Sequence, residues 1–211
     1  MFDDRKDAGQ ELARALSKYG EQDALVLGIP RGGAEIAYEV AHHLNADMSL
    51  LVTRKLPMPS NPEAGFGAIA EDGSTYIHED AEAWLSEDDM KRIIEAQRKE
   101  VERRVSVLRG GEKLPPIEDR TIILVDDGLA MGSTMRASIN MCKNMKARII
   151  IVGVPVSGSR TAGQIEKLVD DLIVLEIPPY FRAVAQAYAN WHDVSDAEVK
   201  SIISKWQDEH K

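Results

Sequence analysis

The chain has 211 residues, 44% hydrophobic and 29% charged, the profile of one large globular domain with a full core. Its 35 acids against 26 Lys and Arg leave a net charge of -9, which argues against an extended nucleic-acid or anionic-membrane surface. A compact anionic ligand stays compatible, since it needs only a few local amides and cations.

In chain order, the acidic amino terminus MFDDRKDAGQ lacks the apolar stretch of a secretory leader. No apolar run approaches the ~18 residues of a membrane span, and a cytoplasmic location is expected. Leu12, Ala13, Leu16 and Tyr19 recur at helical spacing, and Gly20 ends that helix. ALVLGI, residues 24–29, is an unbroken apolar run and reads as a strand buried on both faces. A helix over 33–44 and a strand over 48–53 follow. Residues 54–65, RKLPMPSNPEAG, contain three prolines and read as a long polar loop, followed by the Asp72-Gly73 turn between two short strands. A charged helix over 87–108 opens at Ser86 and Asp89 and closes at Gly110-Gly111. Its stripe of Ile93, Ile94, Val101, Val105 and Leu108 suits either the core or a dimer contact.

The strand TIILV, 121–125, leads to a helix over 133–145, where Cys142 reads as a buried structural thiol rather than a nucleophile. The remaining elements are a strand over 147–156, a helix near 160–169, a strand over 171–176 and a closing helix from about Ser195. Aliphatic strands alternating with helices predict an α/β fold, a parallel sheet with helices on both faces. The whole chain, 1–211, reads as one domain, with 178–211 as a distinct extension.

Three loops leave strands at the end where such sheets bind ligands. In IILVDDGLAMGST, Gly128, Ala130, Met131, Gly132, Ser133 and Thr134 let the backbone curl so that successive N–H groups and a helix start face one anion. Asp126 and Asp127 repel phosphate; they suit vicinal hydroxyls or a divalent cation. A group with a diol at one end and a phosphate at the other is a ribose 5-phosphate. The Walker pattern and the dinucleotide fingerprint are both absent here, and a plain capped turn leaves the paired Asp unexplained. Arg31, Gly32 and Gly33 in GIPRGG read as either an ordinary turn or a second phosphate subsite. Arg54 and Lys55 head a segment that is either a lid or a solvated loop. His42-His43 reads as a surface pair, and Tyr180 and Trp191 as either base-stacking or packing residues.

These motifs resemble the type I phosphoribosyltransferases, above all the group of unassigned substrate. Residues 122–134 match their 13-residue signature, and GIPRGG, RK with GAIAEDG, and the segment from Phe181 to Val199 extend the likeness over almost the full length. The resemblance implies a five-stranded parallel core, a flexible loop and a small hood over the base site. It implies Asp126 and Asp127 on the ribose hydroxyls, directly or through Mg²⁺, and residues 130–134 on the 5-phosphate. It further implies Arg31, Gly32 and Gly33 as a pyrophosphate loop with a non-proline cis peptide. Arg54, Lys55 and the loop after them would close over the pyrophosphate of phosphoribosyl pyrophosphate, with Arg54, Lys55 and Asp127 as the catalytic set. A small-molecule base acceptor and a homodimer complete the expectation. Met131 stands where the signature usually has Thr, Ala185 where AVG is common, and VPVSGS replaces a more proline-rich turn. These departures motivate an alternative, a non-catalytic sensor of nucleotides or the activated sugar.

Overall fold

The computed structural model describes residues 1–20 and 22–210; Lys211, the last position of the expected extension, lies outside them. Five strands form one parallel sheet in the order β2-β1-β6-β7-β8: β1 (Ala24–Gly28), β2 (Asp47–Leu50), β6 (Thr121–Val125), β7 (Ile149–Val156) and β8 (Asp171–Glu176). This is the parallel sheet expected from the aliphatic runs, with the five strands the resemblance implied. Period-two alternation sends Val26, Ile123, Val125 and Ile151 to one face, with α1 (Arg5–Ala15), α2 (Gly33–Leu44) and α7 (Asp196–Glu209). Leu25, Leu27, Ile122, Leu124 and Val152 go to the other, with α5 (Ser133–Asn144) and α6 (Ser159–Ile165). Both faces are covered, which is why these strands read as continuous apolar runs.

Residues 54–65 do not form the predicted loop. They belong to a hairpin, β3 (Thr53–Met58) and β4 (Asn61–Ala70), which with β5 (Thr75–Ile77) makes a separate antiparallel sheet. Likewise the strand expected over 48–53 is divided between β2 and the start of β3. The three prolines misled because each sits where no regular ladder bond is needed. Pro57 occupies a register shift on the edge strand β3, Pro59 lies in the turn, and Pro62 falls between the Met58–Asn61 and Pro57–Gly65 pairings. The Asp72-Gly73 turn stands as expected, with Gly73 at φ 90.

A short α3 (Ala81–Trp84) precedes α4 (Glu87–Arg109), which is capped by the Ser86 hydroxyl and ends at left-handed Gly110. Its apolar stripe packs within the chain: Ile93 and Val101 join Val52, Leu56, Phe66 and Ile69 in a third core. A buried ion pair fastens this layer to the main sheet. Arg109 Nη1 donates to both Glu71 carboxylate oxygens at 3.0 Å and to the Leu50 carbonyl at 2.6 Å, while the Val52 amide donates to Glu71. Burial raises the Glu71 pKa, and the Arg109 charge opposes that shift.

Cys142 is buried, and burial pushes its thiol up to about 12, as a structural thiol should behave. His42 and His43 are exposed. Among the described residues no helix is long and apolar enough to cross a membrane.

Candidate functional site

The strand order places the site. From β1 the chain crosses through α2 to β2 on one side, and from β6 through α5 to β7 on the other. The crevice between the carboxyl ends of the neighbours β1 and β6 is therefore a topological switch point, where open α/β sheets bind ligands. Gly28 pairs with Val125, so the loops of residues 29–33 and 126–134 leave side by side.

The two loops interlock. A Cβ on Gly32 would lie 1.9 Å from Asp127 Oδ2, so only a glycine fits between α2 and that carboxylate. A Cβ on Gly33 would lie 2.8 Å from the Val125 carbonyl oxygen and 3.1 Å from Asp126 Cα. The Pro30-Arg31 peptide is cis, as the resemblance implied. Arg31 itself leans outward, 3.7 Å from Asp196 at the start of α7.

Residues 128–134 wrap around a cavity of about 350 Å³, completed by Lys55, Gly65 and Val184. The loop is held from outside: the Leu129 amide donates to Val156 O, Thr161 Oγ1 donates to Ala130 O, and Ser133 Oγ lies 3.2 Å from His78 Nε2. Gly132 adopts φ 73 and caps α5 without any side-chain bond. The amides of that first turn thus have no side-chain cap, the state in which a helix start accepts an anion. Met131 is 64% exposed beside them.

The adjacent carboxylates differ. Asp126 Oδ1 accepts the Asp127 amide at 2.9 Å, and burial, with the Asp127 charge behind it, raises its pKa well above the ordinary carboxylate range. Asp127 is also raised by burial, but Arg5 opposes the shift, its Nε donating to Asp127 Oδ2 at 2.9 Å. Among the described residues no group of three or more His, Cys, Asp or Glu side chains gathers as a metal cage. Two carboxylates alone match how Mg²⁺ is usually held, with ligand phosphates and water completing its shell.

Strand alternation separates Arg54 from Lys55. Lys55 faces the cavity, whereas Arg54 Nε donates to Gln97 Oε1 on α4 at 3.3 Å. Burial, then the charges of Arg104 and Arg31, lower the Arg54 pKa. The expected base-side aromatics diverge too: Tyr180 is 87% exposed, while the Trp191 ring lies 3.9 Å from the Arg5 guanidinium. A larger cavity, about 630 Å³, opens along the C-terminal half of α4 between Glu71, Val105 and Met141, and none of the candidate site residues lines it.

Arg5 and Tyr188 escaped the sequence reading. Arg5 stands in a run of charges at a helix start, yet it is 3% exposed. Tyr188 donates its hydroxyl to the Asp127 carbonyl at 2.6 Å. Nothing local in either segment signals a partner more than sixty residues away.

Residues 2–189 match the family model of the phosphoribosyl transferase domain. The chain is 35% identical over 207 residues to "Putative phosphoribosyl transferase MT0597" and to its counterpart Rv0571c, from two strains of Mycobacterium tuberculosis. That match covers 97% of this chain and 47% of those relatives, so the chain spans about half their length. The crystal structure of TT1426 from Thermus thermophilus superposes with a TM-score of 0.83 at 31% identity, covering 98% of this chain and 99% of that one. The AQ2163 protein of Aquifex aeolicus, at 12% identity and a TM-score of 0.51 over 82% and 74% of the two chains, shares the fold alone. The crevice between β1 and β6, its acidic pair and its glycine-capped helix starts are thus set in a chain that belongs to the phosphoribosyltransferase family.

Proposed function

We propose that the chain binds Mg²⁺-phosphoribosyl pyrophosphate and transfers its ribose 5-phosphate to a nitrogen nucleophile, a nucleobase, with release of pyrophosphate. One observation carries this reading: the glycine-capped start of α2 abuts the carboxylate pair, and the loop from that pair to the glycine-capped start of α5 lines a cavity of about 350 Å³. Open helix starts suit phosphates, and carboxylates suit the ribose hydroxyls between them.

In this reading the amides and hydroxyls of residues 130–134 hold the 5-phosphate. Asp126 and Asp127 orient the 2′- and 3′-hydroxyls, directly or as ligands of the cation. The backbone of residues 31–33 faces the pyrophosphate, with Lys55, Arg31 and Arg54 as the cations on that side. The bond from C1 of the ribose to the pyrophosphate oxygen breaks and a bond to the base nitrogen forms, through an oxocarbenium-like transition state. Bound Mg²⁺ supplies charge neutralisation for the leaving pyrophosphate. The chain's own contribution is positioning, donors aimed at developing negative charge, and exclusion of water. Val184, which lines the cavity, and Phe181, packed against Gly158, form the base side of a hood within residues 178–211. A homodimer in the cytoplasm is part of the same proposal.

The test is calorimetric titration with phosphoribosyl pyrophosphate, with and without Mg²⁺, against ribose 5-phosphate. Micromolar binding that requires both the cation and the pyrophosphate supports the reading; binding of neither ligand refutes it. A base panel scored by pyrophosphate release then separates an enzyme from a sensor, since exposed Met131 in place of the usual hydroxyl also suits a protein that binds without turnover.

A further inference from the structure

Arg5 is a charged side chain buried where a protein ordinarily avoids one, and it joins Asp127 of the crevice to the segment of residues 191–192. Besides its bond to Asp127 Oδ2, its Nη1 donates to the His192 carbonyl at 3.0 Å, and its guanidinium lies 3.9 Å from the Trp191 ring centroid. The segment carrying those residues is itself tied to the amino terminus. The Phe2 amide donates to Ala187 O, the Ala189 amide to Phe2 O, and the Asn190 amide to Asp3 O. Asp127 is consequently held twice, at its carbonyl by Tyr188 and at its carboxylate by Arg5.

We infer that Arg5 is a positioning residue for Asp127, and that through it the docked segment of residues 187–192 sets the ribose end of the cradle. The inference rests on the phosphoribosyl reading above. Three physical reasons support it. A carboxylate has about four acceptor positions, so Arg5 fixes the rotamer while leaving capacity for ligand hydroxyls. A permanent cation offsets one of two adjacent negative charges where a polyanion must approach. The planar fork makes two divergent hydrogen bonds while stacking on an indole, a combination that an ammonium does not reproduce. Arg5 touches no reacting atom in this scheme; it acts through Asp127.

The experiment compares wild type, Arg5→Met, Arg5→Lys, Asp127→Asn, Tyr188→Phe and the Arg5→Met/Asp127→Asn double variant, each titrated with Mg²⁺-phosphoribosyl pyrophosphate at a temperature where it is fully folded. Amide hydrogen exchange is measured on the same ligand-free samples. Arg5→Met should weaken binding by roughly 10- to 100-fold, Arg5→Lys should recover part of the loss, and Tyr188→Phe should cost a few-fold. The double variant should bind no more weakly than Asp127→Asn alone, because both changes remove one interaction. Exchange should rise in residues 127–134 and 187–192 of Arg5→Met while β7 and α4 stay protected. Wild-type affinity in Arg5→Met, or losses that simply add in the double variant, overturns the inference. If Arg5→Met does not fold, wild-type affinity in both Arg5→Lys and Tyr188→Phe overturns it. If wild type itself binds no Mg²⁺-phosphoribosyl pyrophosphate, the phosphoribosyl reading fails separately. Exchange then decides the latch: unchanged protection in Arg5→Met, or in Tyr188→Phe where Arg5→Met does not fold, overturns it, and a rise confined to those two segments supports it.

Discussion

The helix starts of this protein are of two kinds. Helices α1, α4 and α7 begin with a side-chain cap, Asp4, Ser86 and Ser195 respectively, each accepting a backbone amide of the first turn. The short helices α3 and α6 have no side-chain cap, and among the longer ones α2 and α5 begin without one, at Gly32 and Gly132. A cap contributes about 1 kcal/mol, so omitting it at two helices is a local loss of stability. Both occur at loops of the switch point: Gly32 abuts Asp127, and Gly132 closes the loop that Asp126 and Asp127 open. Among the longer helices, the chain caps the three that serve the scaffold and leaves uncapped the two that begin at the loops of the switch point, where an anion can complete their amides.

Breaking the functional kind should have the largest effect at Asp127. Asp127→Asn removes the charge from the crevice and leaves buried Arg5 without its counter-ion, a change that typically costs about 3–5 kcal/mol. We expect both a large fall in denaturant midpoint and Mg²⁺-phosphoribosyl pyrophosphate binding weakened by roughly 100-fold; a midpoint like wild type would show the ion pair to be weak.

Asp126→Asn sharpens the comparison, because here function and stability should move in opposite directions. The folded pKa of Asp126 lies above its unfolded value, so ionising it disfavours the fold as pH rises through that interval. The amide should therefore raise Tm at pH 7–8, and the gain should vanish below about pH 4, where the unfolded carboxyl is also protonated. Ligand affinity should fall by roughly 10- to 100-fold, the worth of a hydrogen bond to a charged group. A lower Tm at pH 8 would contradict the sign.

Gly32→Ala tests the packing between the loops. Its methyl would overlap Asp127 Oδ2, so a cost of about 1–3 kcal/mol and weakened ligand binding are expected, both readable by thermal melts and calorimetry. Ser86→Ala, at a scaffold cap, should give the smallest effect: about 1 kcal/mol of stability and unchanged affinity.

The sheet was legible because buried parallel strands need uninterrupted aliphatic sequence, as in fully buried 121–125, and the half-buried edge strand at 171–176 keeps the same aliphatic run between Asp171 and Glu176. The signature at 122–134 was legible because an aliphatic strand, two adjacent acids and a run of small residues before a helix lie together within thirteen positions. The hairpin at 53–70 was not, since three prolines signal a loop until the ladder shows that their positions need no regular donor.

What the sequence determined by itself was local: which stretches form helices and strands, and which loop carries an acidic pair beside an open helix start. These follow from periodicity, caps and backbone sterics within a few residues. Tertiary structure alone decided the rest. It set β1 next to β6, aimed Lys55 at the cavity while Arg54 faced α4, and brought Arg5 across 122 residues to Asp127. Such pairings depend on strand order and on burial, where an unmatched charge is costly, and a run of charges at a helix start looks the same whether it ends in water or in the core.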